Sequence, residues 1–143
     1  MADKWEFVRS TKASTSKAMD YFSHPENYPK NHPDFVKGVT IKSNEASKIT
    51  YEQEIGMMGR NLKQMQRMTI SPEAGNVQID TIGGSGNGSR ITMTVSGNPG
   101  GGSQVKYVAE MKLGLFAFMA RGAAKSEMEK VANEDAKNLD MMA

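Results

Sequence analysis

The end of this chain follows a different period from everything before it. From about Val36 to Leu113, apolar and polar residues alternate in six short segments separated by glycine-rich turns, which predicts β-strands. From about Leu115 to Leu139, apolar residues recur at spacings of three and four, which predicts one long helix. A small twisted sheet cannot bury its concave face alone, so we expect this helix to lie across it. Space that the side chains between them leave unfilled would form a pocket.

The residues before these segments predict one more strand and two short helical pieces. Alternation from residue 4 to residue 10 gives a first strand with an aromatic face. Ser14 or Thr15 is a suitable N-cap for a short helix over Ser16 to Phe22. The next segment is rich in proline, which excludes a long helix, but Pro25 suits the first position of a single turn.

Composition excludes several classes of protein. The 143 residues suit one domain, residues 1–143, and a net charge of +2 without a basic block gives no footprint for nucleic acid. The chain has no cysteine, which excludes disulfides, a thiol nucleophile and thiolate metal sites. We find no signal-peptide pattern and no apolar run long enough for a transmembrane segment, so the expected location is cytoplasmic.

The inward-facing residues of the strands and of the helix start are the candidates for a pocket wall. The ligand-binding candidates are Tyr51, Gln53, Met93, Val95, Tyr107, Ala109, Met111, Phe116, Met119, Ala120 and Ala123. Periodicity does not distinguish a cavity wall from a fully packed core. Tyr51, Gln53 and Tyr107 are the most informative, because each puts a hydrogen-bonding group on an otherwise apolar face. A few convergent polar groups in an apolar pocket are typical of a small-ligand site.

The two histidines of the chain, His24 and His32, both lie in the proline-rich segment. A metal site would need a third ligand, such as Glu26 or Asp34. We favour ordinary surface or loop-capping roles for both histidines, with His32 as a general base at the pocket mouth as the alternative. We therefore assign no metal site, no cofactor and no catalytic residue.

Polar residues also occupy two apolar faces. Asp135 falls on the apolar face of the last helix, where Arg9 or a lysine is the expected partner. Gln64 and Gln66 share a strand face with apolar residues. Either a β-bulge breaks the alternation there, or the two amides face a wet cavity.

The order of elements and a short motif in the first third of the chain resemble a known family. The motif residues are Ala13, Ser14, Met19, Tyr21 and Phe22, then His24-Pro25-Glu26-Asn27-Tyr28, then His32-Pro33-Asp34-Phe35 and Val39. They resemble the START-like (SRPBCC) helix-grip superfamily, which includes polyketide cyclase/dehydrase-like lipid-transport proteins and birch-pollen-allergen relatives. The resemblance implies an α+β fold in which a curved seven-stranded antiparallel sheet grips a long C-terminal helix, with two short helices after strand 1. It also implies a hydrophobic cavity between sheet and helix.

The resemblance leaves three functions open. The leading one is binding or transport of a small hydrophobic molecule, such as a lipid, polyketide, quinone or sterol-like compound. The second is an enzyme of the cyclase/hydratase kind that uses His32 or a tyrosine. The third is a chaperone or membrane-protein interaction module with an apolar patch at Met57 and Met58. The sequence decides neither the ligand nor the oligomeric state.

Overall fold

The computed structural model describes residues 3–57, 59–112 and 117–143; at Asp3, Met57 and residues 117–121 it describes the backbone alone. The strands in these ranges are β1 Asp3–Thr11, β2 Val36–Glu45, β3 Lys48–Met57, β4 Arg60–Ser71, β5 Asn76–Gly84, β6 Arg90–Gly97 and β7 Ser103–Met111. They form one curved sheet in the order β1-β7-β6-β5-β4-β3-β2, and every neighbouring pair is antiparallel. The predicted seven-stranded sheet is confirmed.

Short helical segments connect β1 to β2, as the sequence predicted. Helix α1, Thr15–Phe22, begins after Ser14, whose hydroxyl accepts a hydrogen bond from the Lys17 backbone N–H at 3.2 Å. Ser14 rather than Thr15 is therefore the N-cap. A 3₁₀ turn, Pro25–Asn27, and helix α2, Tyr28–Asn31, follow. Pro25 and Pro29 stand in the first turns of these two segments, where the missing N–H costs least.

The closing helix, α3, spans Ala117–Met142 and contacts β1, α1 and α2. Its buried residues recur at spacings of three and four: Ala124, Met128, Ala132, Asp135 and Leu139. The long helix is thus confirmed, although it ends at Met142 rather than at Leu139. Its predicted start at Leu115 lies outside the described residues. No helix in the described ranges is long and apolar enough to cross a bilayer.

The irregular alternation of β4 comes from inward-facing amides rather than from a bulge in β4 itself, because β4 pairs with β3 without a register shift. A bulge lies instead on the neighbouring strand β5. In the pairing of β4 with β5, Met65 is opposite Gly83 whereas Gln66 is opposite Thr81. Ile82 is therefore left without a partner and is 38% exposed, which is a β-bulge. Gln66 itself is buried and faces the space between the sheet and α3. The extra residue therefore belongs to β5, next to the inward-facing Gln66 of β4.

Candidate functional site

A cavity of about 80 Å³ lies between the sheet, the short helices and α3. One water molecule needs roughly 10–15 Å³ of such space, so the cavity is several times larger than a water site. The sheet contributes inward-facing side chains from β2 to β7. These are Val36, Tyr51, Gln53, Gln66, Ile79, Ile91, Met93 and Tyr107.

The rest of the wall comes from the helices and the loop after α2. These side chains are Phe22, Tyr28, His32, Phe35, Met128, Val131 and Asp135. The rings of Phe22 and Tyr107 meet edge to face, with centroids 6.1 Å apart and planes at 85°. Such aromatic pairs stabilise a fold by about 0.5–1.5 kcal/mol beyond their area burial. The wall is therefore mostly apolar and aromatic, which suits an apolar molecule.

Asp135 places a buried carboxylate in this wall. Its Oδ1 accepts a hydrogen bond from the Tyr21 hydroxyl at 2.7 Å and lies 2.8 Å from His32 Nε2. Its Oδ2 accepts from the Tyr107 hydroxyl at 2.7 Å. A buried charge is tolerated only when it is paired and hydrogen-bonded, and these three donors satisfy that condition. The carboxylate thus ties α1, the loop after α2 and β7 to α3.

His32 is held between two carboxylates. Its Nδ1 lies 3.1 Å from Glu134 Oε1, while its Nε2 faces Asp135. Burial alone lowers the pKa of His32, but hydrogen bonds to Asp135 and Glu134 and their negative charges outweigh it and raise this pKa above 6.5. A ring whose two nitrogens both donate is an imidazolium. Neither nitrogen is free to take a proton from a ligand, so the arrangement favours a structural role over a general base.

The tyrosines around Asp135 are hydrogen-bond donors. Asn138 Nδ2 donates to the Tyr21 hydroxyl at 3.1 Å, which leaves the Tyr21 proton directed at Asp135. Burial, reinforced by the Asp135 charge, raises the pKa of both Tyr21 and Tyr107 far above 10.0. The two phenols therefore stay protonated at neutral pH. The Tyr28 hydroxyl donates to the Phe22 carbonyl at 2.6 Å.

Three glutamines on β3 and β4 form a chain of amide hydrogen bonds. Gln64 Nε2 donates to the Ser85 carbonyl at 3.0 Å. Because a carbonyl only accepts, this bond fixes the orientation of the Gln64 amide. Gln64 Oε1 then accepts from Gln53 Nε2 at 3.2 Å and from Gln66 Nε2 at 3.4 Å. The Gln66 oxygen is consequently directed away from the chain.

Two buried polar atoms of the wall have no hydrogen-bond partner in the described part of the protein. They are the hydroxyl oxygen of Tyr51 and Oε1 of Gln66. Tyr51 is 0% exposed and Gln66 is 5% exposed. The two residues stand directly opposite each other in the pairing of β3 with β4. An unpaired buried polar group costs about 1–3 kcal/mol, so this pair is where the wall lacks hydrogen bonds.

Four of the predicted site residues share the cavity wall: Tyr51, Gln53, Met93 and Tyr107. They come from β3, β6 and β7, and each faces α3 or the short helices. The structure brings them together, while their role in binding a ligand stays a prediction.

The other predicted site residues have different positions. Val95 and Ala109 are buried in the core but do not line the cavity, and Met111 and Ala123 are half-buried and also lie outside its wall. Phe116 lies outside the described residues, and the side chains of Met119 and Ala120 do too. Alternation selects a whole strand face, whereas the cavity occupies only part of that face.

Two expectations about charged residues were wrong. His32 is buried rather than on the surface, because the loop after α2 turns inward toward Asp135. The expected partner of Asp135 was Arg9 or a lysine, but Arg9 donates from Nε to Asn133 Oδ1 at 2.8 Å, and Asp135 is bonded by His32 and two tyrosines. A signal was present in the sequence, since an aspartate on an apolar helix face needs a buried donor. The sequence does not say which of its distant donors folds next to it.

Comparison with solved structures gives matches over nearly the whole chain. The Zhui aromatase/cyclase from Streptomyces sp. R1128 has 10% identity and a TM-score of 0.82, covering 99% of this chain and 93% of that one. A START superfamily protein from Mycobacterium smegmatis has 14% identity and a TM-score of 0.82, covering 98% and 99%. Ginseng major latex-like protein 151 from Panax ginseng has 11% identity and a TM-score of 0.78, covering 96% and 97%.

The sequence itself matches no protein-family model and no curated protein. The similarity to solved structures therefore concerns the fold. This chain has the START-like helix-grip fold, as its element order and motif residues predicted.

Proposed function

We propose that residues 1–143 form one domain that binds a small hydrophobic molecule in the cavity between the sheet and α3. The observation that carries this proposal is the cavity of about 80 Å³ with its mostly apolar, aromatic wall. A molecule that leaves water for such a wall gains about 25 cal/mol per Å² of apolar surface buried. The polar side chains among the wall residues orient it.

The volume of the cavity limits the size of the ligand. Sites for drug-sized molecules have volumes of about 300–1,000 Å³. A cavity of about 80 Å³ suits a single ring or a short chain rather than a whole sterol. Of the lipids, polyketides, quinones and sterol-like molecules suggested by the sequence, we therefore propose only those with a single ring or a short chain. The similar folds add support, but a fold alone does not specify a ligand.

The alternatives have weaker support. An enzyme that uses His32 as its base requires a free ring nitrogen, and both nitrogens face carboxylates. The interaction module depends on Met57 and Met58, whose side chains lie outside the described residues. The cytoplasm stays the proposed compartment, on the composition of the chain alone.

A neutral one-ring probe tests the proposal. We expect toluene to bind the purified protein in isothermal titration calorimetry, and native mass spectrometry after incubation with a lipid extract to detect one bound species. Val131→Trp should weaken probe binding at least about tenfold, because the indole fills the space beneath α3. Val8→Trp, on the exposed face of β1, is the matched control and should bind like the wild type.

Circular dichroism checks that each variant folds, and Val131→Phe replaces Val131→Trp if the larger side chain prevents folding. A wild-type protein that neither binds the probe nor retains any species from the extract would overturn the proposal. Equal binding by the Val131 and Val8 variants would also contradict it, because the probe would then lie elsewhere.

A further inference from the structure

We infer that the ligand is a neutral molecule with a hydroxyl group, and that this hydroxyl binds between the Tyr51 hydroxyl and Gln66 Oε1. The inference rests on the proposed function, because it assigns the ligand class of the same cavity. It follows from three features of the wall: the two atoms that lack partners, the distribution of charge, and the shape of the apolar surface.

The donor and acceptor roles of the two unpartnered atoms determine which ligand group can bind them. Gln66 Oε1 only accepts a hydrogen bond, whereas the Tyr51 hydroxyl both donates and accepts. A ligand group that satisfies both atoms must donate to Gln66 and accept from Tyr51. One hydroxyl oxygen does both, while a ketone or an ether leaves Gln66 unpaired. Directly opposed residues of an antiparallel pair have Cβ atoms about 4.5–5.5 Å apart, so the two side chains are neighbours on the cavity face.

The charges of the wall select a neutral ligand. Among the described wall residues, Asp135 and His32 carry charge, and no lysine or arginine is present. The positive charge of His32 is already shared by Asp135 and Glu134, so these three groups together are negative. A carboxylate or phosphate in the cavity would lose its hydration and find no free cation. The Asp135 carboxylate already faces donors from Tyr21, Tyr107 and His32, so these positions are unavailable to a cationic ligand.

The apolar surface selects a ring-sized body for this ligand. Aromatic side chains of Phe22, Tyr51 and Tyr107 surround a volume of about 80 Å³. Aromatic faces and edges bind a flat ring in offset or edge-to-face contact. A phenol combines the ring with the hydroxyl, so we choose p-cresol as the probe.

The test uses three ring compounds of nearly the same shape. These are p-cresol, p-xylene, in which a methyl group replaces the hydroxyl, and p-toluate, in which a carboxylate does. Dissociation constants of the three compounds are measured directly by isothermal titration calorimetry. Because the compounds differ in their affinity for water, the quantity compared is the p-xylene to p-cresol ratio of dissociation constants in each variant.

We expect this ratio to fall about threefold to tenfold in Tyr51→Phe and also in Gln66→Met, since each change removes one hydrogen bond to the hydroxyl. Gln78→Met is the matched control, because Gln78 bonds Asp80 and lies on the opposite face of the sheet. Its ratio should equal that of the wild type. We expect p-toluate to bind at least about tenfold more weakly than p-cresol.

Failure of this inference can be told apart from failure of the proposed function. If the ratio is the same in the wild type, Tyr51→Phe and Gln66→Met, the hydroxyl site is wrong while the cavity still binds rings. If p-xylene binds but p-cresol does not, the ligand class is wrong and the proposed function stands. Tight binding of p-toluate would overturn the neutrality of the ligand. If no probe binds at all, both proposals fall.

Discussion

His32 Nε2 lies 2.8 Å from Asp135 Oδ1 and joins the proline-rich segment to the last helix. This contact holds the loop after α2 against α3, and with it Tyr28 and Phe35 on the cavity wall. The same carboxylate accepts hydrogen bonds from two tyrosines. Asp135 is thus the point at which the elements around the cavity meet.

Replacing Asp135 with asparagine should destabilise the protein strongly. The change leaves the buried His32 cation without the nearer of its two carboxylates and puts an amide N–H₂ where donors converge. Breaking a buried ion pair in this way costs about 3–5 kcal/mol, which urea unfolding can measure. Asp140→Asn is the matched control on the same helix. Asp140 accepts hydrogen bonds from Thr11 Oγ1 and the Lys12 backbone N–H near the surface. Asp140→Asn should therefore lower the free energy of unfolding by much less. Equal losses in the two variants would contradict the role of Asp135.

The stability of the protein should decrease as pH rises above 6.5. The pKa of His32 is raised in the folded state relative to 6.5, so the stability it contributes is fully present below pH 6.5 and is lost as pH rises through the folded-state pKa. Within that window the free energy of unfolding should fall by at most about 1.4 kcal/mol per pH unit. Urea unfolding across the window, compared with His32→Gln, isolates this contribution. A ring titration of His32 by NMR with a midpoint below 6.5 would disprove it.

The same chemical change should have different effects at two buried tyrosines. Tyr107→Phe removes a donor to the Asp135 carboxylate and should cost about 1.5–3 kcal/mol of stability. Tyr51→Phe removes a hydroxyl without a partner in the described part of the chain, so it should be neutral or stabilise by up to about 1 kcal/mol. Thermal or urea unfolding without ligand compares them. A loss at Tyr51 as large as that at Tyr107 would mean that the Tyr51 hydroxyl is satisfied.

Adding a methyl group at Gly122 should stabilise α3. A Cβ at this exposed helical position meets no atom within 4 Å among the described residues. Alanine is about 1 kcal/mol more favourable than glycine inside a helix, so Gly122→Ala should raise the free energy of unfolding by up to that amount. Gly102→Ala is the contrasting variant, because Gly102 has φ of +76° and its Cβ would collide with the Thr11 carbonyl oxygen. It should destabilise. A loss of stability in Gly122→Ala would imply a close contact of this position in solution.

Most of the fold could be predicted from the sequence because strands and helices have different hydrophobic periods. Alternation gave the strands, spacings of three and four gave α3, and Ser14 marked the start of α1. The position of the β-bulge at Ile82 was not accessible, because it depends on how two strands pair rather than on either strand alone.

Only part of the candidate site could be predicted from the sequence. Tyr51, Gln53 and Tyr107 stood out because each is polar on an apolar strand face. His32 did not, since nothing local to the proline-rich segment shows that it turns inward. Its burial depends on a carboxylate far along the chain, at Asp135. Gln66 was noticed as an irregularity, but its unpaired oxygen became evident only with the Gln64 contacts.

The methionine methyl groups report directly on whether the cavity binds a ring-sized neutral molecule. Met93 and Met128 line the cavity, whereas Met141 at the end of α3 is 76% exposed. In a methyl-labelled NMR titration with p-cresol, we expect saturable shifts at Met93 and Met128 and no change at Met141. Shifts confined to exposed methionines such as Met141, or none at any methionine up to the solubility limit of p-cresol, would contradict it.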